Sequence, residues 1–274
     1  MSVKKEPSGR RSVQVEVEVP GTPQQVWQAI ASGPGISSWF VPTKLEGRPG
    51  GSLSLDFGGG MVSSAKITEW QPPHRFAAED SSWLQGGPSV ATEWIVEAKS
   101  GGTCIVRVVH SLFASTDDWD GQLESVEHGW PGYFRVLRHY LAHHAGEASA
   151  SFVLMTPTPP TGGAPSAWKV FAGALGTPTP SIGQSVRVAA AGRELFRGTV
   201  QAIDNVPQGS GIMAIVQEPA PGIVLASAMD CMGMCMATLQ AFFYGPKAGA
   251  AVTQKEHWQQ WLSTVFPPPA AEAP

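Results

Sequence analysis

The chain has 274 residues, 42% of them hydrophobic, and 24 prolines, which is enough for two domains of modest size with many loops. Its 18 Lys and Arg residues against 22 Asp and Glu residues give a net charge of −4. This excludes the overall basic field that would attract nucleic acid or an acidic membrane surface. We therefore expect neither a nucleic-acid partner nor a membrane partner.

The start of the chain and its cysteines indicate the compartment. The first residues, MSVKKEPSGRRS, are polar and basic, unlike a secretory signal, and no segment has the roughly 20 apolar residues of a membrane span. The three cysteines, Cys104, Cys231 and Cys235, are too few for a disulfide framework. We expect a soluble, cytoplasmic protein with reduced thiols.

The first half of the chain reads as a strand, a short helix and a series of antiparallel strands. Val13, Val15, Val17 and Val19 alternate with polar residues, which is the period of a strand with one wet face. Thr22 is suited to cap a helix and is followed by proline. Further alternating segments predict strands that begin near Leu53 and continue at about 62–70, 75–79, 90–98 and 103–111.

The most informative stretch is EHGWPGYFRVLRHYLAHH, residues 127–144. Its apolar residues recur at helical spacing and form a wide stripe of Trp130, Tyr133, Phe134, Val136, Leu137, Tyr140 and Leu141. Gly129 and Pro131 predict a kink or a fresh helix start. Because so wide a stripe needs a broad apolar surface to cover, we predict an α+β fold in which a curved antiparallel sheet wraps around this long helix.

The second half repeats this order in weaker form. Residues 151–274 hold only 12 of the 40 charged residues, and the segment TPTPPTGGAP at 156–165 is typical of a linker. We predict one domain at 11–146, a linker at 147–164 and a degenerate tandem copy at 165–266, closed by a helix at 252–266. Its first strand, about 152–155, would fall inside the linker.

Several short motifs of the first half occur in a characteristic order. They are Thr22-Pro23 with Val26-Trp27, Trp39-Phe40-x-Pro42, the glycines from Gly50, Pro72 to Phe76, Gly101 to Thr103, His110-Ser111 and Gly129-Trp130. Over residues 11–145 this pattern resembles the START-like helix-grip superfamily, also called SRPBCC. It is most similar to the branch of the heat-shock-protein-90 ATPase activator C-terminal domain. Pro131 after Gly129-Trp130, and Leu112 after His110-Ser111, depart from the pattern.

The resemblance implies a cavity between the sheet and the long helix. Members of the superfamily bind lipids, polyketides, hormones or other apolar molecules, some are cyclases or aromatases, and the activator branch includes chaperone partners. We expect a protein that binds a small apolar or aromatic molecule. A cyclase-like or aromatase-like enzyme, a chaperone-interacting protein and a homodimer remain alternatives, because fold alone does not decide function.

The candidate ligand-binding residues are the aromatic and apolar side chains that converge on the proposed grip, together with one histidine. They are Trp39, Phe40, Leu55, Phe57, Trp83, Trp94, His110, Phe113, Trp130, Phe134 and Leu137. His110 is also a weak catalytic candidate, because a cavity histidine with a pKa near 6.5 can act as an acid or base. The alternative is a structural histidine whose hydrogen bonds are satisfied. No nucleophile or cofactor motif is present, which favours a binding protein without a cofactor over an enzyme.

Two further clusters invite a metal interpretation. His139 and His143 share a helix face, with His128 and His144 nearby in sequence, but no acidic or cysteine ligand accompanies them. The segment MDCMGMCM at 229–236 offers soft sulfur ligands for copper or zinc, and Cys231 and Cys235 are a possible redox pair. A hairpin around Gly233 in which Met and Cys fill the core is favoured instead, so we expect no metal.

Overall fold

The computed structural model describes residues 3–83, 86–159, 162–231 and 234–267. The chain divides into two compact units, Met1–Gly146 and Glu147–Pro274. Both are α+β units in which an antiparallel sheet packs against helices, so the predicted fold class is confirmed. None of the described helices has the length and apolar character that a membrane crossing requires.

The first unit contains one sheet of eight described strands. These are β1 (Lys4–Lys5), β2 (Arg10–Pro20), β3 (Thr43–Leu45), β4 (Ser52–Gly58), β5 (Met61–Gln71), β6 (Arg75–Asp80), β7 (Val90–Lys99) and β8 (Thr103–Phe113). The order across the sheet is β1-β2-β8-β7-β6-β5-β4-β3, so the strands form a meander whose first long strand pairs with its last. The strands predicted at 62–70, 75–79, 90–98 and 103–111 are confirmed as β5 to β8.

Local sequence explains the ends of these elements. In β2 the polar residues Gln14, Glu16 and Glu18 are exposed, and the valines between them lie at least half-buried. Helix α1 (Pro23–Ile30) begins with a capping box in which the Thr22 hydroxyl accepts from the Gln25 amide, and it leads into α2 (Gly33–Ser37). The turn between β4 and β5 uses three glycines with positive φ, a conformation that only glycine adopts readily.

The long helix starts earlier than the sequence predicts. Helix α3 (Asp120–His143) has 24 residues and runs through Pro131, so the expected fresh start at Gly129 and Pro131 is wrong. Proline removes only one backbone donor, the N–H that would bond to the carbonyl of Glu127. The neighbouring turns are held by the apolar residues they bury, which include Leu123, Trp130 and Phe134.

A buried ionic network anchors the start of α3 to the edge of the sheet. Arg11 of β2 is 7% exposed and forms ion pairs with Asp117 at 2.6 Å and Asp120 at 2.7 Å. Lys5 of β1 pairs with the same two carboxylates at 2.8 and 2.9 Å. These hydrogen bonds raise the pKa of Arg11 and lower that of Asp117. The negative charge of Asp120 in the first turn is also favourable to the helix dipole.

The second unit contains one sheet of six described strands. These are β9 (Ser149–Pro157), β10 (Ser185–Ala190), β11 (Arg193–Val206), β12 (Gly209–Glu218), β13 (Gly222–Cys231) and β14 (Met234–Tyr244). Its described helices are α4 (Gly163–Ala174), α5 (Ala248–Val252) and α6 (Lys255–Val265). The order β10-β11-β12-β13-β14-β9 again places the first strand beside the last. The two units are therefore tandem copies of one topology, the described strands of the second lacking counterparts of β1 and β3.

The predicted linker is wrong for most of residues 147–164. Residues 149–157 form β9, which pairs along its whole length with β14, and α4 already begins at Gly163. The small residues at the start of β9 have the composition of a linker, but they lead into an apolar centre of a strand, Phe152 to Leu154. The suggestion of a first strand near 152–155 is confirmed, and the strand is longer than expected.

The anchoring of α3 can be tested with two arginines that each pair with two carboxylates. Arg107 of β8 pairs with Glu16 and Glu97, but its side chain is 24% exposed, against 9% for Arg11. We expect Arg11→Met to lower the thermal unfolding midpoint more than Arg107→Met, because Arg11 is the less exposed arginine and its loss leaves the half-buried Asp120 paired with the half-exposed Lys5. Amide hydrogen exchange at residues 120–127 should accelerate only in Arg11→Met. Equal effects of the two variants would contradict the anchoring role.

Candidate functional site

Trp130 is the centre of an aromatic cluster between α3 and the sheet. Its ring lies 5.1 Å from Trp94 of β7, 5.2 Å from Phe40 after α2 and 5.3 Å from Phe134 of α3, between ring centroids. It also stacks on His110 of β8 at 5.7 Å. Trp130 is 6% exposed, and three of these contacts come from segments that are distant in sequence, the loop after α2, β7 and β8. Trp130 thus joins the helix to two strands of the sheet.

The cluster extends toward the loop after α2 and toward the sheet edge. Phe40 makes edge contacts with Phe57 of β4 at 5.8 Å and with Tyr133 of α3 at 4.6 Å. Trp39 is fully buried, stacks on Phe40 and donates its indole N–H to the carbonyl of Ala29 at 2.9 Å. Leu55 and Phe57 remain half-buried at this end of the cluster.

His110 is held by hydrogen bonds at both ring nitrogens. Its Nε2 accepts the indole N–H of Trp130 at 2.8 Å, and its Nδ1 lies 3.0 Å from the hydroxyl of Thr92 on β7. Because Nε2 is an acceptor, we infer that the ring proton lies on Nδ1 and is donated to Thr92. Burial lowers the pKa of His110 from 6.5 to about 3, so the ring is neutral at pH 7.

These contacts describe a structural histidine more closely than a catalytic one. A general base needs a free nitrogen within reach of the ligand proton, and Nε2 is already occupied by Trp130. The cross-strand partner could have been found from the sequence. The predicted hairpin closed by residues 100–102 places Thr92 directly opposite His110, as the observed register does.

A loop that carries Trp83 adjoins the histidine on its other side. The half-buried Trp83 ring makes an edge contact with His110 at 5.5 Å between centroids. Asp80, at the end of β6, accepts from the Ser63 hydroxyl at 2.6 Å and from the amide and hydroxyl of Ser82 at 2.7 Å. The Ser63, Ser82 and Trp83 hydrogen bonds outweigh burial and lower the pKa of Asp80. Asp80 therefore positions the start of the Trp83 loop.

The structure brings most of the predicted site residues together. Joined by ring contacts or by the His110 hydrogen bonds are Trp39, Phe40, Phe57, Trp83, Trp94, His110, Trp130 and Phe134. Leu137 is buried on the same helix, and Leu55 is half-buried on β4. Phe113 differs, because it is 64% exposed and lies outside the ring contacts of the described residues. Thr92, Tyr133 and Glu127 were not on the predicted list.

The structure also gives the partners of Glu93 and the position of the Met- and Cys-rich segment. Glu93 of β7 pairs with Arg10 and Arg75, and Val109 lies opposite it on β8. In the second unit, β13 and β14 form the expected hairpin, with Asp230 opposite the half-buried Cys235. The turn at Met232 and Gly233 and the side chain of Cys231 lie outside the described residues.

The histidines at the end of α3 lie close together. The ring of His139 is 4.6 Å from His143 and 5.5 Å from His144 between centroids. Burial, followed by the charges of these neighbours, lowers the pKa of His139 to about 4. Across the described ranges, no group of three or more His, Cys, Asp and Glu residues has a geometry that could hold a metal ion.

A separate cavity of about 490 Å³ lies in the second unit. It is lined by Arg193, Glu194, Arg197, Glu218, Pro219 and Gln254. Charged side chains dominate this lining, and they pair with one another across it. It is therefore unlike the apolar site expected from the sequence.

The comparisons with known proteins concern mainly the first unit. Residues 20–142 match the family model described as activator of Hsp90 ATPase homolog 1-like protein. No curated protein matches the sequence. Among solved structures, CalU16 from Micromonospora echinospora is 22% identical, covers 52% of this chain and 83% of its own, and has a TM-score of 0.41.

Two further solved structures illustrate the one-unit and two-unit cases. The Aha1 dimer from Colwellia psychrerythraea is 16% identical, with a TM-score of 0.40, and covers 47% of this chain and 95% of that one. The di-domain ARO/CYC BexL from the BE-7585A biosynthetic pathway is 15% identical, with a TM-score of 0.44. It covers 93% of this chain and 94% of its own.

The buried state of His110 predicts a pH dependence of stability. The unfolded chain binds a proton at His110 below pH 6.5, whereas the folded chain does so only near pH 3. Below pH 6.5 the proton therefore favours the unfolded chain, and the free energy of unfolding falls as the pH falls, by at most about 1.4 kcal/mol per pH unit. Above pH 6.5 the full free energy of unfolding is present. In His110→Gln, whose amide oxygen can still accept from Trp130, urea unfolding should lose about 1.5 kcal/mol less between pH 6.5 and 5.0 than in wild type.

His257 provides the matched control, because its side chain is exposed on α6. The pH dependence of unfolding in His257→Gln should equal that of wild type. If His110→Gln also kept the wild-type slope, the neutral buried state of His110 would be refuted.

Proposed function

The first unit of this chain belongs to the START-like superfamily, in its branch of activator-of-Hsp90-ATPase-like domains, and we propose that this unit binds a small apolar or aromatic molecule. The observation that carries the proposal is the convergence on Trp130 of rings from α3, β7, β8 and the loop after α2. Such a wall, with a few polar groups set into it, is the usual lining of a small-molecule site.

The side chains of this cluster are less buried toward its two ends, which supports an entrance for a ligand there. Trp94, Trp130 and Phe134 are buried, whereas Leu55, Phe57 and Trp83 at the two ends are half-buried. The half-buried rings lie on a sheet edge and in a loop, which are the parts of a fold that adjust with least cost. A ligand would contact these side chains first and then pack against the buried rings.

The state of His110 supports binding rather than catalysis at this site. Its two nitrogens are engaged by Trp130 and Thr92, and it is neutral at pH 7. A cyclase-like or aromatase-like reaction would need another acid or base. In the proposed role, His110 fixes the orientation of the Trp130 ring against which the ligand packs.

Binding can be tested with naphthalene as the probe, after native mass spectrometry of the fresh protein has shown whether a molecule co-purifies. We expect naphthalene to bind the full chain, and Phe57→Ala to weaken its binding about tenfold through loss of one wall contact, about 1.4 kcal/mol. Phe57 is preferred to Trp130, since removing a fully packed tryptophan costs about 3–5 kcal/mol of stability.

Phe113→Ala is the matched control, because its ring is exposed at the end of β8. Isothermal titration should give the wild-type affinity for this variant. The proposal fails if wild type binds no naphthalene, or if the two phenylalanine variants behave alike.

The description of the matching family model favours one second candidate, a partner of an Hsp90-type chaperone. If the chain has that role, adding it should increase the steady-state ATPase rate of the chaperone, and heat-denatured chain should not. An unchanged rate at a molar excess of the chain, together with no complex in size-exclusion chromatography, would remove this candidate.

A further inference from the structure

Glu127 is a buried carboxylate on the face of α3 that packs on the sheet. Its side chain is 7% exposed, and its Oε2 atom is buried with no hydrogen-bond partner. No donor to this carboxylate is found among the residues that the structure describes. Buried polar groups are nearly always paired, and leaving one unpaired costs about 1–3 kcal/mol, or more when it is charged. Such a group therefore points to a donor that is not part of the chain.

The position of Glu127 on the helix places it within the aromatic cluster. Leu123, Glu127, Trp130 and Phe134 follow one another at spacings of four, three and four residues, and all are buried. At 100° per residue, Glu127 lies within about 60° of Trp130 around the helix axis. The carboxylate therefore lies on the side of α3 that carries the proposed ligand wall.

The contacts of its two helical neighbours define what Glu127 faces. Leu123, one turn before it, belongs to an apolar group that includes Val90 and Leu112 and against which Trp83 packs. Trp130, one turn after it, donates to His110, and Trp83 makes an edge contact with the same histidine. Glu127 thus lies on α3 between Leu123, which belongs to the apolar group that contacts Trp83, and Trp130, which bonds to His110.

Pro131 adds to the polarity of this position. It stands four residues after Glu127 and has no N–H, so the helix cannot supply the usual donor to the Glu127 backbone carbonyl. The same turn of α3 therefore presents two acceptors, the side-chain carboxylate of Glu127 and its backbone carbonyl, which lacks the usual donor four residues later. Both are suited to a ligand that brings a hydrogen-bond donor.

We propose that Glu127 is the specificity-determining residue of the ligand site and accepts a hydrogen bond from a hydroxyl group on an aromatic ligand. This inference rests on the proposed function of the first unit. An aromatic molecule that carries the hydroxyl fits this position, because the neighbouring side chains Trp94, Trp130 and Phe134 are themselves aromatic. The ligand class is accordingly a phenol or aromatic alcohol.

The test compares two probes that differ by one hydroxyl, naphthalene and 2-naphthol, binding to the full chain in isothermal titration. We expect wild type to bind 2-naphthol at least about tenfold more tightly, the effect of one hydrogen bond to a charged acceptor. Glu127→Leu should bind both probes within about threefold of each other. Glu127→Gln, whose amide oxygen is a neutral acceptor, should retain part of the preference.

Glu124→Leu is the matched control, because Glu124 is exposed one turn earlier on the same helix. It should keep the full preference for 2-naphthol. A merely structural role of Glu127 is distinguished by thermal unfolding. If the carboxylate serves the ligand, Glu127→Leu should be at least as stable as wild type, since a buried acceptor without a donor has been removed.

The outcomes separate the two proposals. Wild type that binds naphthalene without preferring 2-naphthol overturns the role of Glu127 and leaves the proposed function intact. A preference that survives in Glu127→Leu and Glu127→Gln does the same. A lower unfolding midpoint of Glu127→Leu with an unchanged preference identifies a structural residue. Wild type that binds neither probe overturns both proposals.

Discussion

The hydrogen bond from the indole of Trp130 to His110 links the long helix to the sheet in the first unit. A buried indole N–H needs an acceptor, and the neutral His110 on β8 provides one at 2.8 Å. This single contact fixes the rotation of α3, because the Trp130 ring cannot turn away without leaving two polar groups unpaired. The orientation of every other side chain on that face of α3 follows from it, including Glu127.

The second unit uses the same topology with a different kind of core. Trp258 of α6 is fully buried and stacks on Phe196 at 5.0 Å, but its indole N–H has no hydrogen-bond partner among the described residues. The surrounding core is apolar and includes Phe152 and Phe243. Among the described residues, the buried ionisable groups His110, Asp80 and Arg11 lie in the unit with the proposed site, whereas the buried polar residues of the second unit, Thr177 and Gln240, are uncharged. This difference agrees with the low share of charged residues after residue 150.

Regular alternation made much of the fold predictable, and tertiary contacts account for what was missed. The valines of β2 and the parity of His110 on β8 follow from the two-residue period of strands. The first turns of α3 are polar and contain Gly121, so nothing local predicts a helix; Arg11 and Lys5, more than 100 residues away, hold them in place. Phe113 was misplaced because β8 continues two residues beyond Ser111, which sends its ring away from the face of His110. Glu127 was not predicted as a site residue, because only its burial in the folded chain distinguishes it from other charged residues of a helix.

In each unit the first long strand pairs with the last strand. In the first unit the pairing runs from Pro20 with Thr103 to Arg10 with Phe113, and in the second unit β9 pairs with β14. The first long strand of each unit therefore lacks this partner until almost the whole unit has been made. A chain of this topology has high contact order and folds late in its own synthesis. Its alternating first strand stays available to chaperones for most of that time.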